Sequence, residues 1–104
     1  MWFGVDVLYK SIHKKCETSP QLFQESILLI WANDANQAEE FAKSYALSEE
    51  CEYRSINGDI LKWQFDDILS VYEIESDEFH TGLEIFSRFL RPSEVNSLKV
   101  PFDD

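Results

Sequence analysis

The residues best suited to nucleophilic chemistry are two cysteines and two histidines, since a thiolate attacks and an imidazole can take its proton. Cys16 follows Lys14 and Lys15, and cationic neighbours lower a thiol's pKa. Nothing in the spacing, however, holds Cys16 or Cys51 against His13 or His80, so both thiols read as packed or surface cysteines and both histidines as loop residues. Two cysteines far apart in sequence also lack the close paired spacing of a four-ligand zinc site or a disulfide framework. Reduced thiols in a cytoplasmic protein are the expectation.

Carboxylates are the more abundant chemistry. Asp66 and Asp67 are adjacent, whereas glycoside cleavage needs two acids facing each other across a groove. The acid-rich stretch 73–84 invites a test for a calcium loop, which requires oxygen ligands at positions 1, 3, 5 and 12 with glycine at 6. Counted from Asp77, those positions hold Asp77, Phe79, Thr81 and Arg88 around Gly82, and the pattern fails. Gly4, Gly58 and Gly82 stand alone, so no glycine-rich loop can cradle a phosphate. The reading is a protein that is not an enzyme, with no cofactor, no metal and no catalytic residue.

What remains is charge. The 104 residues carry 20 Asp and Glu against 9 Lys and Arg, a formal net charge of −11. That sign excludes the phosphate contacts of nucleic-acid binding and adhesion to anionic membrane. The excess is local: residues 49–84 hold 11 acidic side chains against Arg54 and Lys62, a net of −9. Asp66, Asp67, Glu73, Glu75, Asp77, Glu78 and Glu84 are therefore the candidate partner-binding residues, facing a protein with a basic surface. Trp31, Tyr53 and Phe79 are candidate aromatic anchors beside them, and Trp63 belongs chiefly to the core.

These residues need a scaffold. With 44% hydrophobic and 14% aromatic residues, the chain can build a core, unlike a disordered acidic tail. Residues 2–9 are apolar on both faces and read as a strand inside a sheet; 10–24 reads as a long connection; the short apolar run 26–32 reads as a second buried strand. Ala35, Ala38, Phe41, Ala42 and Tyr45 then recur at threes and fours, which predicts a helix over 35–47. Asp34 caps it, with Gln37 in capping-box position. Asn57-Gly58 between two β-rich runs predicts a two-residue hairpin pairing Ile56 with Asp59, Arg54 with Leu61 and Glu52 with Trp63, so that Ile56, Leu61, Trp63 and Phe65 meet the helix. Asp66-Asp67 breaks the alternation as a bulge or strand boundary. Strands follow over 68–75 and 83–90, separated by a turn ending at Gly82, and Pro92 either ends the last strand or opens a short helix over 93–98. The expected fold is α+β: a mainly antiparallel sheet of five or six strands with one helix, 35–47, packed on one face. Residues 1–98 form one domain, with 99–104 a loose tail.

The opening MWFGVDVLYKSIH, the ESILLIWAND strand leading into an alanine-rich helix, the Tyr53 to Phe65 hairpin, the DILSVYEI strand and the closing GLEIFSRFL together resemble a bacterial family of unknown function, domain-of-unknown-function family 4288. The likeness covers residues 1–90 and lies in strands and turns, so it implies a fold and no activity. In size and charge the chain is also similar to immunity proteins encoded beside contact-dependent and other polymorphic toxins. No run approaches the roughly 20 apolar residues of a membrane span, and Asp6 within the apolar opening, with no basic region before it, argues against a cleaved signal peptide. The functional expectation is a cytoplasmic immunity protein that neutralises a toxin, a basic nuclease for instance, by occlusion, monomeric without its partner. The alternative is a non-catalytic structural or regulatory module that self-associates.

Overall fold

The structure is a computed structural model that describes residues 1–13, 21–54 and 60–100, with only the backbone at 51–54, 60 and 61. Four strands and two helices run in the order β1 (Trp2–His13), β2 (Phe23–Trp31), α1 (Ala35–Ser48), β3 (Cys51–Arg54), β4 (Ile60–Glu73) and α2 (Pro92–Lys99). The sheet is antiparallel with the strand order β2-β1-β4-β3. The α+β class holds, but the sheet has four strands where five or six were expected, and there are two helices where one was expected.

β1 lies inside the sheet, as its two apolar faces predict. Phe3, Val5, Val7 and Tyr9 point to one side and cluster with Ala38, Ala42 and Ala46 of α1. Burying one such valine or phenylalanine contributes about 1.5–3 kcal/mol. Small residues at every fourth position let the helix lie close to the strands, while Phe41 and Tyr45, expected within the apolar stripe, stay half exposed at its margins. Asp34 caps the helix by accepting the Gln37 N–H at 2.8 Å. Gln37 returns its Oε1 one residue earlier than a capping box requires, to the Asn33 N–H at 2.8 Å.

Residues 60–73 form one strand rather than the two expected at 59–65 and 68–75. The register against β1 slips between Leu8 and Tyr9, where Asp66 is skipped, and again between Asp6 and Val7, where Leu69 is skipped. These two bulges bring Trp63, Phe65, Ile68 and Val71 all against the core beneath α1. Asp66-Asp67 is therefore a bulge inside a continuous strand. Glu50, just after α1, satisfies the displaced backbone there, its Oε2 accepting the Phe65 N–H at 2.9 Å.

The β3–β4 register differs by one residue from the expected one: Cys51 is opposite Trp63, Glu52 opposite Lys62, Tyr53 opposite Leu61 and Arg54 opposite Ile60. The expected turn at Asn57-Gly58 lies outside the described residues, as does Ile56. The connection expected over 10–24 is shorter, because β1 continues to His13 and β2 begins at Phe23.

The expected strand at 83–90 is not a strand. Ile74 donates its N–H to the Trp2 carbonyl at 3.0 Å, ending the ladder. The chain then turns, with Gly82 at φ 88°, and residues 79–88 cross the face of the sheet opposite α1. Phe79 stacks near Trp2, the Ile85 carbonyl lies over Gly4, and Arg88 reaches Asp6. This strap follows β1 along every second residue. Gly4 permits the crossing, because a Cβ there would overlap the Ile85 carbonyl. α2 then begins at Pro92, in keeping with one of the two readings of that proline, and includes Lys99, which was expected in the loose tail.

Candidate functional site

The end of the sheet where β4 finishes brings exposed aromatic and acidic groups together. Trp2 and Trp31 are opposite each other across β1 and β2, their rings 5.0 Å apart edge to face, and Phe79 packs 5.6 Å from Trp2. Trp31 remains 53% exposed and Phe79 57%, so the cluster is anchored on one side and open on the other. Between Ile74, bonded to Trp2, and Phe79, stacked on it, runs the turn carrying Glu75, Asp77 and Glu78. Ser76 Oγ holds that turn, accepting the Glu78 N–H at 3.1 Å and donating to the Glu78 carbonyl at 2.9 Å. Glu73 ends β4 opposite Phe3. Among the described residues, none of these four carboxylates has an ion-pair partner.

Of the other three expected site residues, Asp66 and Asp67 lie elsewhere, and Glu84 lies on the strap. Asp66 pairs with Lys10 at 3.6 Å, and Asp67 Oδ1 accepts the Ile68 N–H at 2.8 Å. A strand rises about 3.3 Å per residue, so Asp67 stands roughly 20 Å from Glu73 along β4, beyond the Debye length of about 8 Å at physiological salt. Glu84 accepts the Tyr72 hydroxyl at 2.9 Å, a bond that raises the Tyr72 pKa above its ordinary 10. Of the candidate anchors, Trp31 and Phe79 border the acidic turn; Trp63 packs against the core; the side chain of Tyr53 lies outside the described residues, as do Cys16 and the thiol of Cys51.

The chain belongs to the DUF4288 family. The family model, a domain of unknown function, matches residues 2–87, which takes in β1 to β4, the aromatic cluster, the acidic turn and most of the strap. No curated protein and no solved structure matches the chain. Within the DUF4288 span, one charged group was visible in the sequence but not read as a site. Asp6 is the lone charge among residues 2–9, and it is fully buried beneath the strap.

Arg88 Nη1 lies 3.7 Å from Asp6 Oδ2 and 3.1 Å from Glu25 Oε2. Neither Asp6 oxygen has a hydrogen-bond partner among the described residues. Burial, followed by the hydrogen bond and negative charge of Glu25, pushes Asp6 up to about 7, against the opposing pull of Arg88. Arg88 itself falls one residue beyond the family match.

A cleft of about 220 Å³ lies on the helix side, between Tyr9 and Trp63 of the sheet and Tyr45 and Glu49 of α1. Glu49 is the one carboxylate among its described lining residues, which also include Gln24, Ser26 and Leu28.

Proposed function

We propose that the protein is an acidic, non-catalytic binding protein of the bacterial cytoplasm, and specifically an immunity protein that neutralises a cognate toxin by covering its basic surface. The observation that carries this reading is the pairing of four unneutralised carboxylates, Glu73, Glu75, Asp77 and Glu78, with the half-exposed rings of Trp31 and Phe79 at one end of the sheet. Large rings fixed on one side bury apolar area on binding with little loss of side-chain freedom. Carboxylates around them steer a cationic partner and can raise association to about 10⁸–10⁹ M⁻¹s⁻¹ at low salt. A nuclease holds its substrate with Lys and Arg, so its groove presents the complementary field.

Asp66 and Asp67 add to the net field from a screening length or more away, and Glu84, which accepts the Tyr72 hydroxyl, adds its charge from the strap beside the end of β4. Co-expression with the product of the neighbouring reading frame, followed by affinity capture, tests the reading. Co-purification and loss of the toxin's activity are expected. Failure of every adjacent product to bind would remove the proposal.

A further inference from the structure

A second surface is built for a different contact. β2 is an edge strand, bonded to β1 on one side. Met1 and Ala32 exchange backbone hydrogen bonds, and Ser11 donates to Leu22, so the even-numbered residues of β2 direct their N–H and C=O groups at β1. Phe23, Glu25, Ile27, Leu29 and Trp31 direct theirs outward. Among the described residues nothing accepts or fills those outward groups.

Exposed edges are usually blunted by proline, lysine, a bulge or shortness. β2 has none of these: nine residues, no proline, no lysine, and an unbroken register with β1. The side chains of Phe23, Ile27, Leu29 and Trp31 are each about half exposed on the strap side. Charge also favours this edge. In a chain of net −11, β2 carries one charged residue, Glu25, and Arg88 neutralises it at 3.1 Å.

We propose that β2 pairs antiparallel with β2 of a second copy about a two-fold axis at Ile27, joining two four-stranded sheets into one of eight. The strand is self-complementary in that register. Ile27 meets Ile27 of the second copy, and Phe23 meets Trp31 at each end, all as hydrogen-bonded pairs of outward-facing residues. Every residue of β2 then has a partner, which no other register achieves. A two-fold axis uses one patch twice and closes the assembly. The dimer sets Phe23 of the second copy beside Trp31 and leaves Phe79 and the acidic turn free, so that Phe79 is the anchor it keeps open to a toxin, and it replaces the isolated monomer expected from charge alone.

Light scattering on the full chain across a concentration series tests this. The wild type is expected at twice 12.2 kDa, dissociating on dilution. Ile27→Lys and Ile27→Glu, both at a half-exposed position, should each be folded by circular dichroism and monomeric. Mixing them should restore the dimer, because only the register centred on Ile27 sets the two new charges opposite each other. Hydrogen exchange supplies a readout independent of the variants: the amides of Glu25, Ile27 and Leu29 should be protected in concentrated and not in dilute protein. A wild type that stays at 12.2 kDa throughout overturns the proposal. So does a dimer with unprotected amides at these positions, or a mixture of the two variants that stays monomeric.

Discussion

Replacing Asp6 by asparagine should make the protein more stable at pH 8 and nearly unchanged at pH 4. Asp6 is fully buried, its carboxyl held from the ordinary 3.8 up to about 7 by desolvation first and by Glu25 second. In the unfolded chain that proton is lost near pH 4, and in the folded protein it is retained to about pH 7. Between these values the native state binds more protons than the unfolded state, so stability falls as pH rises and levels off above the folded pKa. At 1.36 kcal/mol per pH unit, the full span corresponds to roughly 4 kcal/mol as an upper figure. Asparagine keeps the shape, can donate to Glu25, and has no proton to lose. Urea denaturation of both proteins from pH 4 to pH 8 isolates the effect, since the self-repulsion of the other carboxylates is common to both. The difference should grow through the window from pH 4 to pH 7 in favour of Asp6→Asn. A difference independent of pH, or a variant less stable than wild type at pH 8, would refute the reasoning and show that the ion pair with Arg88 outweighs burial.

Asp34→Ala removes the acceptor for the Gln37 N–H and should destabilise by about 1 kcal/mol, read as a fall in melting temperature of about 4–8 °C for a domain of this size. Gly4→Ala places a methyl group against the Ile85 carbonyl. It should lift the strap at a cost of about 1–3 kcal/mol, seen as faster proteolysis of residues 79–88 and a change in tryptophan fluorescence as Phe79 leaves Trp2. Arg88→Met should leave Asp6 and Glu25 without their cation and move the acid-side titration of stability to higher pH, measured in the same urea series.

Much of the scaffold was legible because its signals are local. The two-sided apolarity of residues 2–9 fixes β1 at the centre of the sheet, the three-and-four spacing of Ala35, Ala38, Phe41, Ala42 and Tyr45 fixes α1, and Asp34 marks its start within one residue. Asp66 signalled its bulge by breaking an alternation. The errors arise where local pattern leaves pairing open. Leu83 to Leu90 mixes apolar and polar residues as a strand does, but the same pattern suits a segment lying across a face, and the long β4 already sits between β1 and β3. The β3–β4 register, one residue from the expected one, follows how β4 packs on β1, which a dipeptide signal does not carry. Of the candidate site, composition located the acidic segment, but only three-dimensional placement separates the open turn at Glu73 to Glu78 from Asp66, which Lys10 neutralises. Asp6 had a signal as well, a single charge in an apolar strand beside the small residue Gly4.

The most direct measurement of the central claim is the association rate with whichever neighbouring gene product the affinity capture retains, followed by stopped-flow fluorescence of Trp31 and its neighbours over a range of salt concentrations. Wild type should associate fast at low salt and slow steeply as salt rises. The triple charge reversal Glu75→Lys, Asp77→Lys and Glu78→Lys should be slower by an order of magnitude or more at low salt, with a flattened salt dependence, while Asp66→Lys changes little. Equal rates and equal salt slopes for wild type and the triple variant would contradict the assignment of the acidic turn as the surface that meets the partner.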